Sequence, residues 1–199
     1  HILNRDDIID NTSLLYGTNI FSIDLATIRA MTKSSPYIKQ LYVRRELPAS
    51  IIIELVERKP LAIIDHKNSS FLIGEDGMLL EKFTEAGGIQ YPTIITSLKE
   101  NVNVGQLIGD RSFQLPLIVL SEMRLNHPEC YARLVSIQVH EPYHIALKMR
   151  HLPGTVIIRA DEMGQNLERL NSLLPKLVDT PFEYIDLRFS DKAIVKFIS

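Results

Sequence analysis

Apolar residues recur along this chain with two periods, and the switches between them mark its elements. From His1 to Tyr16, Asn4 or Asp6 can cap a helix, Asp7 suits its first turn, and Ile8, Ile9 and Leu15 supply apolar positions. Gly17-Thr18-Asn19 would close it. A second helix is predicted after Asp24, with Leu25, Ile28 and Met31 on one face. It should stop at Ser34-Ser35-Pro36, because the residue before a proline is pushed out of the helical region. Two β runs follow, Ile38 to Arg45 and Ser50 to Arg58, joined by Glu46-Leu47-Pro48-Ala49. The second is rich in β-branched residues and ends at a proline that cannot donate to a ladder. Two helices over one hairpin make a small α+β unit with no reaction chemistry in it. A lone hairpin is marginal, so a third strand is expected just before His1.

After Pro60 the period of two dominates. Leu61 to Ile64 reads as an extended exit, and Asp65 to Ser70 as a polar turn. Phe71-Leu72-Ile73 and Met78-Leu79-Leu80 flank Gly74-Glu75-Asp76-Gly77, which has the chemistry of a hairpin tip. Residues 83–103 read as loop and short strand, with Gly87-Gly88 followed by Tyr91-Pro92-Thr93-Ile94-Ile95. Phe113 to Leu125 has helical spacing, with Pro116 in the first turn. Leu134 to Met149 alternates again, Thr155 to Arg159 returns as a strand, and Asp161 is placed to cap an amphipathic helix carrying Met163, Leu167, Leu170, Leu173 and Leu177. Phe182 to Arg188 and Ala193 to Ile198 are strands about a turn at Ser190-Asp191-Lys192.

Several of these stretches together resemble one family. Asn19-Ile20-Phe21-Ser22-Ile23-Asp24, then Pro36-Tyr37-Ile38, then Arg45 to Pro48 and finally Glu57 to Ala62 match, in order and spacing, the POTRA domain of the FtsQ/DivIB bacterial cell-division proteins. The Asp-x-x-Gly hairpin beyond it and the run Tyr184-Ile185-Asp186-Leu187-Arg188-Phe189 resemble the family's second domain. The family's Leu-Pro with a nearby glycine is Tyr91-Pro92 here, without that glycine. The resemblance implies an α+β chain. A POTRA domain, with a helix pair on a small mixed sheet, would occupy residues 1–64. A larger mixed or antiparallel β domain with two helices would occupy residues 65–199.

Composition narrows the function classes. The chain has 199 residues, 45% of them hydrophobic and 23% charged, which suits folded domains with their own cores. A net charge of −2 offers no general attraction to nucleic acid or anionic lipid. The lone Cys130 can form no internal disulfide and has no sequence-local activating partner. No window reaches the ~18–20 apolar residues of a membrane span. The first residue is not Met, so the chain reads as a fragment trimmed at its N-terminus, and any membrane anchor would lie in what was left out.

One motif suggests chemistry. His140-Glu141-Pro142-Tyr143-His144 satisfies the HExxH pattern of zinc hydrolases, which needs both histidines one turn apart on a helix. Pro142 sits inside it and the flanks alternate with period two, so strand, bend, strand is the better description. In an extended chain residues four apart lie ~13 Å apart along the axis, too far to share a zinc; a bend at Glu141-Pro142 would bring the histidines closer but lose the glutamate geometry. The other histidines fall in turns or at the terminus, and no P-loop, nucleophile elbow or dinucleotide fingerprint is present.

The expectation is therefore a non-enzymatic interaction protein with no cofactor and no metal. The resemblance implies a single-pass anchor in the cytoplasmic membrane, an extracytoplasmic location at the division site, and binding of small coiled-coil division proteins of the FtsB/FtsL kind. Another POTRA-bearing export or outer-membrane assembly protein is the alternative, although those carry tandem POTRA units. A terminal strand can leave an edge that accepts a partner strand. Carried over by motif, Arg188 would pair with a partner's acidic residue, Phe189 and Phe197 would be apolar anchors, and Asp191 would lie between them. The other reading is that Phe189 and Phe197 fill the core; alternation cannot choose when the two flank a turn.

Overall fold

The computed structural model describes residues 17–30, 35–84, 91–96, 102–109, 111–140, 143–177 and 181–198. Its contacts divide the chain into two compact units, His1–Lys59 and Pro60–Ser199. The helix expected from His1 to Tyr16, and Met31 of the next one, lie outside the described residues.

In the first unit, helix α1 (Leu25–Ala30) is followed by the antiparallel strands β1 (Ile38–Glu46) and β2 (Ser50–Glu57). The residues of the family motif are the ones that satisfy its backbone. Asn19 Oδ1 accepts the Phe21 N–H at 2.9 Å, turning the chain. Asp24 caps α1 as expected: its carboxylate accepts the Ala26 N–H at 2.9 Å and the Thr27 hydroxyl at 3.0 Å. These bonds hold the Asp24 carboxyl below its ordinary range. Arg45 donates to the carbonyls of Ile20 at 2.8 Å and Ile23 at 2.6 Å, tying the loop before α1 to β1. Arg58 does the same for Pro36 at 2.9 Å and Ile38 at 2.6 Å. Ile28 of α1 is buried, as are Ile38 and Val43 of β1. Replacing Arg45 by alanine leaves two carbonyls without their charged donor. It should cost the first unit roughly 1–3 kcal/mol. Hydrogen exchange should show faster exchange in residues 20–46 and unchanged protection beyond Pro60; uniform protection would show that Arg45 is dispensable.

The second unit is a nine-stranded mixed sheet with helices packed on it. In chain order its elements are β3 (Pro60–His66), β4 (Ser69–Gly74), β5 (Leu79–Phe83), β6 (Thr93–Ile95), α2 (Arg111–Asn126), α3 (Pro128–Arg133), β7 (Leu134–His140), β8 (His144–Met149), β9 (Thr155–Arg159), α4 (Met163–Leu177), β10 (Phe182–Asp186) and β11 (Ile194–Phe197). The sheet order is β11-β10-β9-β8-β7-β6-β3-β4-β5. Three neighbouring pairs are parallel: β3 with β6, β6 with β7, and β9 with β10. Parallel neighbours need a crossover, and α2–α3 and α4 provide two of them. Phe113, Leu117, Leu120 and Met123 of α2, with Met163, Leu167 and Leu170 of α4, share one core with the strands.

The structure departs from the sequence expectation in four places. A boundary after residue 64 would cut β3, which pairs with β4 and β6 and so belongs wholly to the second unit. Helix α2 begins at Arg111, so Pro116 is inside the helix rather than in its first turn. The unit has a third, short helix, α3, where Pro128 occupies the first turn. Asp161 does not cap α4: its carboxylate is taken by Arg159, at 3.0 and 2.5 Å, and the helix starts later, at Met163. Among the described residues no helix is long and apolar enough to cross a membrane.

Candidate partner-docking edge

The last two strands place all four sequence-selected residues at one margin of the sheet. Strand β10 is anchored inward by Phe182 and Ile185, and Leu187 just beyond it is also buried. The Leu187 N–H donates to Ile157 of β9 at 2.8 Å, so the chain remains held as the strand ends.

There the neighbouring charges close on themselves. The Asp186 side chain, 6% exposed, accepts three bonds from Arg188: from the backbone N–H at 3.1 Å, from Nε at 2.9 Å and from Nη2 at 2.6 Å. The Arg188 guanidinium holds the Asp186 carboxyl below its ordinary range against the opposing effect of burial. Asp186 in turn pushes the guanidinium up. Nη1 of Arg188 lies 3.2 Å from Nδ1 of His144, at the start of β8. These contacts use three of the five guanidinium N–H groups, and the side chain is 32% exposed. The arginine that the motif carries over as a partner contact is thus first a brace for its own strand.

The turn that follows shows its apolar side. Phe189 is 40% exposed, with the Lys192 ammonium 5.2 Å from its ring centroid. Asp191 is exposed at the tip. In β11, Val195 faces the core, whereas Phe197 is 52% exposed and Ile194 and Ile198 are exposed as well. Neither phenylalanine fills the core. Lys196 pairs with Glu183 at 2.6 Å and lies over the Tyr184 ring, so the polar face of the hairpin is internally matched. Among the described residues, the outer side of β11 has no strand neighbour. A strand edge flanked by Phe189, Ile194, Phe197 and Ile198 can offer both backbone groups and apolar contacts to an extended peptide.

The other candidates fall elsewhere. His140 ends β7 and His144 begins β8, facing each other across an antiparallel pair, so the helical geometry of a zinc hydrolase is not formed. Glu141 and Pro142 lie outside the described residues. Among those described, no group of three or more His, Cys, Asp or Glu side chains could hold a metal. Cys130 is buried with Sγ 3.6 Å from Asn171 Oδ1, and burial pushes its thiol up, away from nucleophilic reactivity.

Sequence reasoning missed the supports of this edge. Asp186 appeared only as part of a motif, and His144 only as a metal candidate. Arg169 of α4 donates to the carbonyls of Leu187 at 3.4 Å and Phe189 at 2.5 Å. It lies 18 and 20 positions upstream of those residues, and no local pattern links them.

Two family models match the chain. One, described as "POTRA domain, FtsQ-type", covers residues 1–58; the other, "Cell division protein FtsQ/DivIB, C-terminal", covers residues 62–188. The second match ends at Arg188, so Phe189 to Phe197 lie beyond it. The chain is 24% identical to cell division protein FtsQ of Geotalea daltonii, over 98% of this chain and 71% of that protein. It is 24% identical to cell division protein DivIB of Clostridium tetani, over 97% and 74% respectively. The FtsQ of Rickettsia bellii is 38% identical over 44% of this chain and 32% of its own length.

Proposed function

The chain belongs to the FtsQ/DivIB family of bacterial cell-division proteins, and from that membership we propose that it is a non-enzymatic scaffold of the division machinery that receives a partner strand along β11. The partner is the extracytoplasmic part of a small coiled-coil division protein of the FtsB/FtsL kind. The protein works on the outer side of the cytoplasmic membrane, held there by a single-pass anchor. The observation that carries the reading is a group of exposed apolar side chains, Phe189 in the turn and Ile194, Phe197 and Ile198 on or just past an edge strand whose outer side has no described neighbour. Isolated exposed apolar residues are ordinary, but several gathered at an open strand edge mark a surface that can take up a partner strand.

The roles divide by environment. Phe189 and Phe197 are anchors that a partner can desolvate. Arg188 has N–H groups left for a partner carboxylate after bracing Asp186. Asp191 contributes at the rim, where charges affect association rate more than affinity.

Titration calorimetry with a recombinant FtsB-like extracytoplasmic segment tests this. Phe189→Ala and Phe197→Ala should each weaken binding by about tenfold or more, as expected for aromatic anchors, with the melting temperature retained. Arg188→Glu should weaken it further, because it adds repulsion against an acidic partner while disturbing Asp186. Unchanged affinity in all three variants removes this edge from the interface.

A further inference from the structure

We propose that Arg169 of α4 is the positioning residue of the docking edge: it sets where Phe189 leaves the sheet and limits strand addition to β11. The inference rests on the docking reading above and names the residue that organises it.

Arg169 lies on the border of the buried face of α4, half-buried and adjacent to the inward-facing Leu170. Its Nη1 meets the carbonyls of Leu187 and Phe189, the two residues on either side of Arg188. Leu187 is thus held at both ends, its N–H by Ile157 and its carbonyl by Arg169. Arg188 is held by Asp186. Phe189 is held by its carbonyl, and it is 40% exposed with the Lys192 ammonium beside its ring. Three consecutive residues past the end of β10 are therefore fixed by a helix side chain, a neighbouring carboxylate and the backbone of β9.

Two consequences follow for a partner. Ordering a loop before binding removes part of the entropic cost of association. Arg169 takes one acceptor position on each of the Leu187 and Phe189 carbonyls, so a ladder continued into the turn would have to form beside a charged side chain. Strand addition is therefore favoured on Ile194–Phe197 over the turn. Both bonds leave the one Nη1, whose N–H groups are fixed in the guanidinium plane, whereas a lysine ammonium is a point charge on a flexible stem.

The test uses the whole chain and the same recombinant FtsB-like segment. Arg169→Ala, Arg169→Lys and Phe189→Ala are compared with the double variant R169A/F189A, and Glu168→Ala on the exposed face of α4 serves as control. Arg169→Ala should weaken binding by about tenfold. Its effect should be less than additive with Phe189→Ala, because a mispositioned Phe189 has little left to lose. Amide exchange of residues 187–192 should quicken while the core of the sheet stays protected. Arg169→Lys should recover thermal stability but only part of the affinity. If Phe189→Ala weakens binding and Arg169→Ala does not, the positioning role is overturned and the docking edge stands. If the two effects simply add, the link between them is likewise overturned. If neither variant weakens binding, the docking reading fails first, and exchange at 187–192 still reports whether Arg169 holds the turn. Should Arg169→Ala fail to fold, Arg169→Gln, which keeps one donor and the helical propensity, replaces it in the same cycle.

Discussion

Replacing Gly154 by alanine is expected to destabilise the second unit markedly. Gly154 stands immediately before β9, where the backbone of β10 passes closest. A Cβ built there would meet the Phe182 carbonyl oxygen at 2.5 Å and the Phe182 ring at 2.6 Å, with the Glu183 carbonyl closer still. Two of the three obstacles are backbone, and the third is a fully buried ring, so no side chain can swing aside. Overpacking of this kind costs roughly 1–3 kcal/mol and sometimes more. In a unit of this size that corresponds to a fall of roughly 3–10 °C in melting temperature. The displacement is directed at β10, the strand that carries β11, so partner binding should weaken well below the melting point too. Differential scanning calorimetry of the purified chain, alongside the binding titration, checks both. A variant that melts with the parent would mean that β9 and β10 separate without penalty.

Asp186→Asn should produce the second large effect, and a pH-dependent one. The substitution keeps the shape but removes the charge that three N–H groups converge on. It also turns an amide N–H₂ toward a guanidinium. The carboxylate is nearly buried, but its partner is about a third exposed and solvent screens the pair. The expected loss at neutral pH is therefore about 1–3 kcal/mol rather than the larger cost of a fully buried broken pair. The sign with pH follows from the depressed carboxyl. A group ionised more readily in the folded state contributes its full stability above its unfolded pKa of roughly 4. That contribution is lost as pH falls through the folded value. The gap between parent and D186N in denaturant midpoints should be widest at pH 6–8 and close on acidification below about pH 4. A gap that stays constant to pH 3 would show that Arg188 does not set the Asp186 ionisation. The Arg159–Asp161 pair provides a contrast: its carboxyl is also lowered, but both groups are solvated, and removing it should change stability little.

Much of the fold was legible because its causes are local. Asp24 capped α1 where the sequence placed it, and the β1–β2 hairpin closed across Glu46 to Ala49. The alternation from Leu134 to Met149 resolved into β7 and β8, with the histidines facing across the hairpin rather than along a helix. The misreadings were also local in origin. Asp161 looked like a cap, but an arginine two residues earlier competed for its carboxylate. Proline was read as a helix start at Pro116, where the helix had already begun. The residues proposed for docking were legible only as a motif. Their exposure was not, because Phe189 and Phe197 lie on opposite sides of a turn whose geometry is set by Arg169 from another element.

Periodicity, caps and turn residues, acting within one or two turns of chain, sufficed to determine the elements of this protein and, through the spacing of the motif residues from Asn19 to Ala62, its kinship. The tertiary structure alone decided the order β11-β10-β9-β8-β7-β6-β3-β4-β5, with three parallel pairs made by crossovers. It also decided which charges were consumed internally and which apolar side chains were left outside at the open edge. The physical reason is range. A cap or an alternation is satisfied by neighbours in sequence, whereas a strand's partner, the ionisation of Asp186 and the outward turn of Phe189 depend on groups that only folding brings within bonding distance.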